Sequence, residues 1–192
     1  MRFVIFDIDG TLTDTKEVDD KCFMKAFEDS FNIDIWSQKW ETLKEVTDWS
    51  ITEEIVLSEW NRLPTNSEYE SMISNFMSNL REEKAKDQSQ FNEIPGAKDF
   101  FYRLEKSKQF KVGIATGGWE ESALLKLKAI GIAINNVAFS NSSHHKSRAA
   151  ILKNVIAQLS RKTQSIPKRI IYFGDGEWDY KPCQNLRACW EI

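Results

Sequence analysis

Residues 2–14 read Arg-Phe-Val-Ile-Phe-Asp-Ile-Asp-Gly-Thr-Leu-Thr-Asp, and this stretch decides the fold. Phe3 to Phe6 form an uninterrupted run of aromatic and β-branched residues. Such a run reads as a strand buried on both faces, as in a parallel sheet covered by helices. It ends in two carboxylates two residues apart, Asp7 and Asp9, followed by Gly10 and Thr11. In open α/β sheets ligands bind beyond the carboxyl ends of the strands, so these acids stand where chemistry is expected. The stretch alone also fits a strand closing in a polar Asp-Gly turn. The rest of the chain separates the two readings.

Downstream, residues 16–90 carry a helical pattern. Val18, Cys22, Ala26, Phe27 and Phe31 recur at helical spacing, and Ile51, Ile55, Val56 and Trp60 mark a second helix. Ser67-x-x-Glu70 reads as a capping box ahead of an apolar stripe through Met72, Phe76, Met77 and Leu80. That helix is expected to dissolve in the charge run Arg81 to Gln88. A small helical bundle is therefore expected between the first and second strands, with Trp36, Trp40 and Trp60 in its core in preference to forming a binding platform.

From Ile94-Pro-Gly96 onward, helix and strand alternate. Phe110 to Ala115 reads as the second strand, closed by Thr116-Gly117-Gly118. Trp119 to Ile130 reads as a helix stopped by Gly131, and Val137 to Phe139 as a short third strand. Ser147 caps a helix bearing Ile151, Leu152, Val155 and Leu159, and Arg169 to Phe173 is the fourth strand, ending in Gly174-Asp-Gly-Glu-Trp-Asp179. Strands alternating with helices of this length predict right-handed crossovers and a parallel sheet. The fold class expected is α/β: a doubly wound, Rossmann-like core over 1–15 and 91–192, with a helical bundle over 16–90 inserted.

In a parallel sheet the polar strand ends converge on one edge. Asp7 and Asp9 follow the first strand, Thr116 the second, His144-His-Lys-Ser-Arg148 lies beyond the third, and Asp175 and Asp179 follow the fourth. Converging carboxylates repel and are costly to bury. A hard divalent cation resolves this, and an all-oxygen donor set favours Mg²⁺. The Thr116 hydroxyl, backbone N–H groups at Gly10 and Gly117, and Lys146 or Arg148 together make a cradle of phosphate size. His144 and His145 read as loop residues.

These residues carry a family resemblance. Asp7-Ile-Asp9-Gly-Thr11 resembles the first signature of the haloacid dehalogenase-like (HAD) hydrolases, in particular their phosphoglycolate phosphatase-like members with a helical cap. Thr116 is similar to the second signature, the cation at 146–148 to the third, and Gly174-Asp175-x-x-x-Asp179 to the fourth, in the family's order over nearly the whole chain. The resemblance implies a Mg²⁺-dependent phosphomonoester hydrolase acting on a small phosphorylated metabolite. Asp7 would be the nucleophile and Asp9 the proton donor and acceptor. Asp7, the backbone carbonyl of Asp9, and Asp175 would hold Mg²⁺, with Asp179 beside them. Thr116 and the third-signature cation would bind the transferring oxygens; Lys146 is preferred, Arg148 the alternative, and the Pro that commonly follows the family's Lys is missing. Thr47 to Ile51 resembles a cap segment facing the leaving group, which makes Trp49 and Ser50 candidate substrate contacts; alternatively Asp48 or Ser50 caps the helix and Trp49 packs. The alternatives to hydrolysis are a sugar-phosphate phosphomutase of the same fold and a silent phosphate-binding module.

Composition narrows the field further. The 192 residues carry 26 basic and 29 acidic side chains, for a net charge of −3, and no basic run stands out. That argues against a nucleic-acid footprint. No segment approaches the ~20 apolar residues of a membrane span, and the first strand starts at once, leaving no room for a leader. Cys22, Cys183 and Cys189 have no metal-site spacing, in keeping with a cytoplasmic protein. After Asp179 only Cys189 to Ile192 could begin a fifth strand, so the fourth is expected to have a poorly covered edge.

Overall fold

A computed structural model of the chain describes residues 1–186 and 189–191, with side chains through residue 184. Five parallel strands form one sheet: β1 (Arg2–Phe6), β2 (Phe110–Ala115), β3 (Ala138–Ser140), β4 (Arg169–Phe173) and β5 (Cys189–Glu191). Their order is β3-β2-β1-β4-β5, so the chain winds outward from β1 first one way and then the other. β1 is the central strand. Val4 pairs with Val112 on one side and Ile171 on the other. The reversal of winding beside β1 opens a crevice at its carboxyl end, where Asp7 emerges.

Alternate residues of β1 point to opposite faces, which explains its unbroken apolar run. Val4 and Phe6 pack with Val112 and Ile114 against α4 (Ala97–Lys106) and α5 (Glu120–Ala129). Phe3 and Ile5 pack with Ala115 and Tyr172 against α6 (Arg148–Thr163) and α7 (Glu177–Leu186). Gly113 on β2 is required by this packing, because a Cβ there would lie 2.4 Å from a Val155 methyl.

Between β1 and β2 lie α1 (Lys16–Phe31), α2 (Asp48–Trp60) and α3 (Asn66–Lys86). They share a core of their own, in which Phe23, Phe27, Met72 and Phe76 are buried, and Trp119 from the far side of the sheet edge joins it. The Phe23 ring packs at a tilt on Trp119, with centroids 5.8 Å apart. The two crossings between sheet and helices run side by side: Asp14 N–H donates to the Asn92 carbonyl at 2.9 Å, and Ile94 N–H to that of Leu12 at 3.1 Å.

Some local expectations are corrected. The capping box is Thr65 with Glu68, two residues earlier than expected, and Thr65 N–H donates to the Glu68 carboxylate at 2.7 Å. An Arg62–Glu68 pair at 2.7 Å reinforces that start. The helix then runs through the charge cluster to Lys86, because Lys84 and Lys86 in its last turn suit the negative end of the helix dipole. Trp36 is half exposed, and Trp60 lies at the edge of the bundle core against Phe31, 37% exposed, so neither is buried in it. The β4 edge is covered, since Ile171, Tyr172 and Phe173 pair with Cys189, Trp190 and Glu191. Among the described residues no helix is long and apolar enough to cross a membrane.

Candidate active site

The loop after β1 folds tightly on one carbonyl. Ile8 O accepts from the N–H groups of Thr11, Leu12 and Thr13 at 3.2, 2.8 and 2.9 Å. Gly10 makes the turn with φ +73°, and a Cβ there would lie 2.4 Å from an Asp175 oxygen. Glycine is therefore needed twice, for its backbone and for the close approach. Its N–H is already committed to Thr13 O at 2.8 Å, so Gly10 does not supply the phosphate-binding N–H expected of it. Gly117 does line the cleft.

Asp7, Asp175 and Asp179 converge with carboxylate oxygens all within 4.8 Å of one another. Asp7 and Asp179 are buried, and Tyr172 hydroxyl and Gly176 N–H donate to Asp179 at 3.0 and 3.2 Å. Asp7 Oδ1 is buried with no partner. Burial pushes the Asp7 carboxyl up to about 7, helped by the charges of Asp179 and Asp9 and opposed by Arg148. Three carboxylates with an orphaned oxygen form a hard, all-oxygen donor set that suits a divalent cation of the Mg²⁺ kind. The Asp9 side chain stands outside this trio. Thr15 hydroxyl donates to its Oδ1 at 2.5 Å and Lys126 to its Oδ2 at 2.7 Å.

Cation placement corrects the preference for Lys146. Its ammonium turns away from the strand ends to pair with Glu53 on α2 at 2.7 Å and to lie 5.3 Å from the Trp49 ring centroid. Arg148 enters the site instead. Its guanidinium donates to Asp7 at 3.2 Å, to Asp179 at 3.1 Å and to the Val46 carbonyl at 2.8 Å. The reason lies at the α6 start. Ser147 is the N-cap, accepting from Ala150 N–H at 3.2 Å, so residue 146 is still extended toward α2 while residue 148 begins the helix beside the strand ends. Burial alone would lower the Arg148 pKa, but Asp7 and Asp179 outweigh it and raise it. Behind the guanidinium, Gly117 leaves no room for a side chain, since a Cβ would lie 2.6 Å from Arg148 Cζ.

Thr116 is buried at the end of β2, with its hydroxyl accepting from Gly118 N–H at 3.2 Å. Trp49 and Ser50 do not reach the cleft, contrary to expectation. Trp49 packs at a tilt against Tyr69, with ring centroids 5.1 Å apart, and the Ser50 hydroxyl donates to the Lys146 carbonyl at 2.7 Å. The helix cap is Thr47, not Asp48 or Ser50. Asp48 instead faces the cleft with Asp19, Asp20, Phe23 and Trp40. Trp40 is thus a cleft wall, its indole N–H donating to Asp20 at 3.1 Å. Nothing in the sequence around Trp40 distinguished it from Trp36 and Trp60.

Asp48 accepts from Trp119 N–H at 2.8 Å, and burial pushes its carboxyl from 3.8 up to about 7, with Lys126 opposing. The unfolded chain releases this proton at lower pH than the folded one. Between those values it binds fewer protons, so stability falls as pH rises from about 4 to about 7. Asp48→Asn is expected to be more stable than the parent by on the order of 1–3 kcal/mol at pH 8 and equal to it near pH 4. Urea unfolding at the two pH values checks this; a gap that does not grow with pH contradicts it.

Lys126, which the sequence reading did not single out, is the buried partner of Asp9. It is fully buried on α5, with its ammonium 2.7 Å from Asp9 and 2.5 Å from Asp19. Burial would lower its pKa, but the two carboxylates prevail and raise it. The signal was present: Lys126 falls at helical spacing with Ala123, Leu127 and Ile130, all buried. A lysine on an apolar face needs a partner.

No curated protein matches the chain by sequence. Among solved structures, a hydrolase from Pseudomonas syringae superposes with a TM-score of 0.75 at 20% identity, covering 99% of this chain and 83% of that one. A predicted phosphoglycolate phosphatase from Haemophilus somnus 129PT gives 0.65 at 16% identity, covering 98% and 83%. CbbY from Rhodobacter sphaeroides, solved in complex with phosphate, gives 0.70 at 14% identity, covering 98% and 84%. At such identities the likeness is one of fold. The family model described as haloacid dehalogenase-like hydrolase matches residues 4–188, and the chain belongs to that family.

Proposed function

We propose that the chain is a Mg²⁺-dependent phosphomonoester hydrolase acting on a small phosphorylated metabolite. The observation that carries this is the convergence of Asp7, Asp175 and Asp179 beneath a guanidinium that touches Asp7 itself. Asp7, Asp175 and the main-chain carbonyl of Asp9 would hold the cation, with Asp179 beside them. When bound, the cation supplies positive charge to the phosphate oxygens.

An Asp7 carboxylate oxygen attacks phosphorus, forming an aspartyl-phosphate as the bond from phosphorus to the ester oxygen breaks. The leaving oxygen takes a proton from Asp9. Water then attacks phosphorus and gives its proton back to Asp9, the Asp7–phosphorus bond breaks, and orthophosphate leaves. Arg148 and Thr116 bear on the transferring oxygens, where charge stabilisation counts most. An acid at position 9 argues for phosphoryl transfer over dehalogenation, since a halide needs no proton.

Hydrolysis of p-nitrophenyl phosphate with Mg²⁺ and with EDTA tests this reading. Release of free phosphate only with the metal supports it. Transfer of phosphate between sugar hydroxyls without release would replace it with a mutase, and metal binding without turnover with a silent binding module.

The close approach of Gly117 to Arg148 adds a second expectation. Gly117→Ala should displace the guanidinium and lower kcat/KM by about 10- to 100-fold, with the fold intact by circular dichroism. Full activity would mean that Arg148 placement does not matter.

A further inference from the structure

We infer that Lys126 is a positioning residue that fixes the Asp9 carboxylate and ties its placement to α1. The inference rests on the phosphatase reading above and adds to it a residue outside the cleft lining. Three separate elements meet at its ammonium: the loop after β1 through Asp9, α1 through Asp19, and α5, which carries Lys126. Lys126 is wholly buried, so this contact is not a surface ion pair.

The other Asp9 oxygen is held by the Thr15 hydroxyl, which is itself 2.6 Å from the Thr13 hydroxyl. Thr13 sits where the two crossings run together, pairing with Glu93, and Thr15 is the residue before α1. Both Asp9 oxygens are therefore anchored to groups whose positions depend on α1 and its connection. With Lys126 shortened, Asp9 would keep only the Thr15 contact and could turn about its side-chain torsions. A misplaced proton donor slows only reactions whose leaving group needs the proton.

That selectivity separates positioning from mere support. For Lys126→Met, kcat/KM on an alkyl phosphate is expected to fall about 10- to 100-fold, while 2,4-dinitrophenyl phosphate, whose leaving group needs no proton, changes less than about threefold. Lys126→Arg should recover part of the loss. In an Asp9→Asn background Lys126→Met should add little, because the group it acts through is gone.

An activity-independent readout accompanies these. The ¹⁵Nζ signal of the Lys126 ammonium should resist solvent exchange in the parent and lose that protection in Asp9→Asn. Equal losses on both esters, or additive losses in the double variant, overturn the inference. So does an ammonium signal indifferent to Asp9. A parent with the protected signal but no phosphate release overturns the phosphatase reading itself and with it the catalytic part of this inference, leaving the ion pair as a structural tie. Should Lys126→Met fail to fold, Asp19→Asn, which keeps the lysine, must show the same ester selectivity in milder form or the inference fails.

Discussion

Replacing Asp7 by Asn is expected to remove phosphate release on the order of 10⁴-fold or more, the size of loss seen when a covalent nucleophile is deleted. The amide keeps the shape of the side chain but cannot attack phosphorus. It also removes the buried charge of Asp7, whose own carboxyl burial already pushes up to about 7. The variant should therefore fold at least as well as the parent, and Arg148 keeps its contact with Asp179 at 3.1 Å. A variant that folds and retains most of its activity would take the nucleophile role from Asp7. Residual activity unaffected by EDTA would point instead to a contaminating phosphatase.

The second large effect distinguishes the two cations. Arg148→Ala is expected to lower kcat/KM by about 10²- to 10³-fold, since the proposed mechanism has this buried guanidinium stabilise the transferring charge. It also leaves Asp7 and Asp179 uncompensated, at a cost of about 3–5 kcal/mol of stability unless Mg²⁺ replaces it. Arg148→Lys should retain more stability than activity, because a single ammonium cannot reproduce the fork that reaches Asp7, Asp179 and Val46 together. Lys146→Ala, in contrast, breaks an exposed pair with Glu53 and should stay within about fivefold of the parent. Large losses at Lys146 with little at Arg148 would reverse the assignment.

How far the sequence announces this arrangement depends on what each residue leans on. β1, β2 and β4 are legible because each is a short apolar run ended by Gly, Asp or Thr, and buried parallel strands demand that pattern. Asp7, Thr116, Asp175 and Asp179 follow from it, because strand ends share one edge. Arg148 was harder to single out. Its distance from Lys146 is two residues, and the choice turns on Glu53, a partner 93 positions from Lys146 that attracts one cation away. Gly10 misled for a related reason: an N–H in a tight loop serves the loop first, here through Thr13. The cleft wall was illegible. Trp40, Asp20 and Asp48 meet only through the packing of α1 and α2 over the sheet edge, whereas Trp49 turned to Tyr69.

Trapping the aspartyl-phosphate on Asp7 is the sharpest test of the proposed mechanism. The protein would be mixed with p-nitrophenyl phosphate and Mg²⁺, quenched in acid within one turnover, digested with trypsin and examined by mass spectrometry. A gain of about 80 Da, one phosphoryl group, is expected on the peptide from Phe3 to Lys16 and is lost in Asp7→Asn. Steady hydrolysis with that peptide unmodified, and water attacking the ester directly, would contradict it.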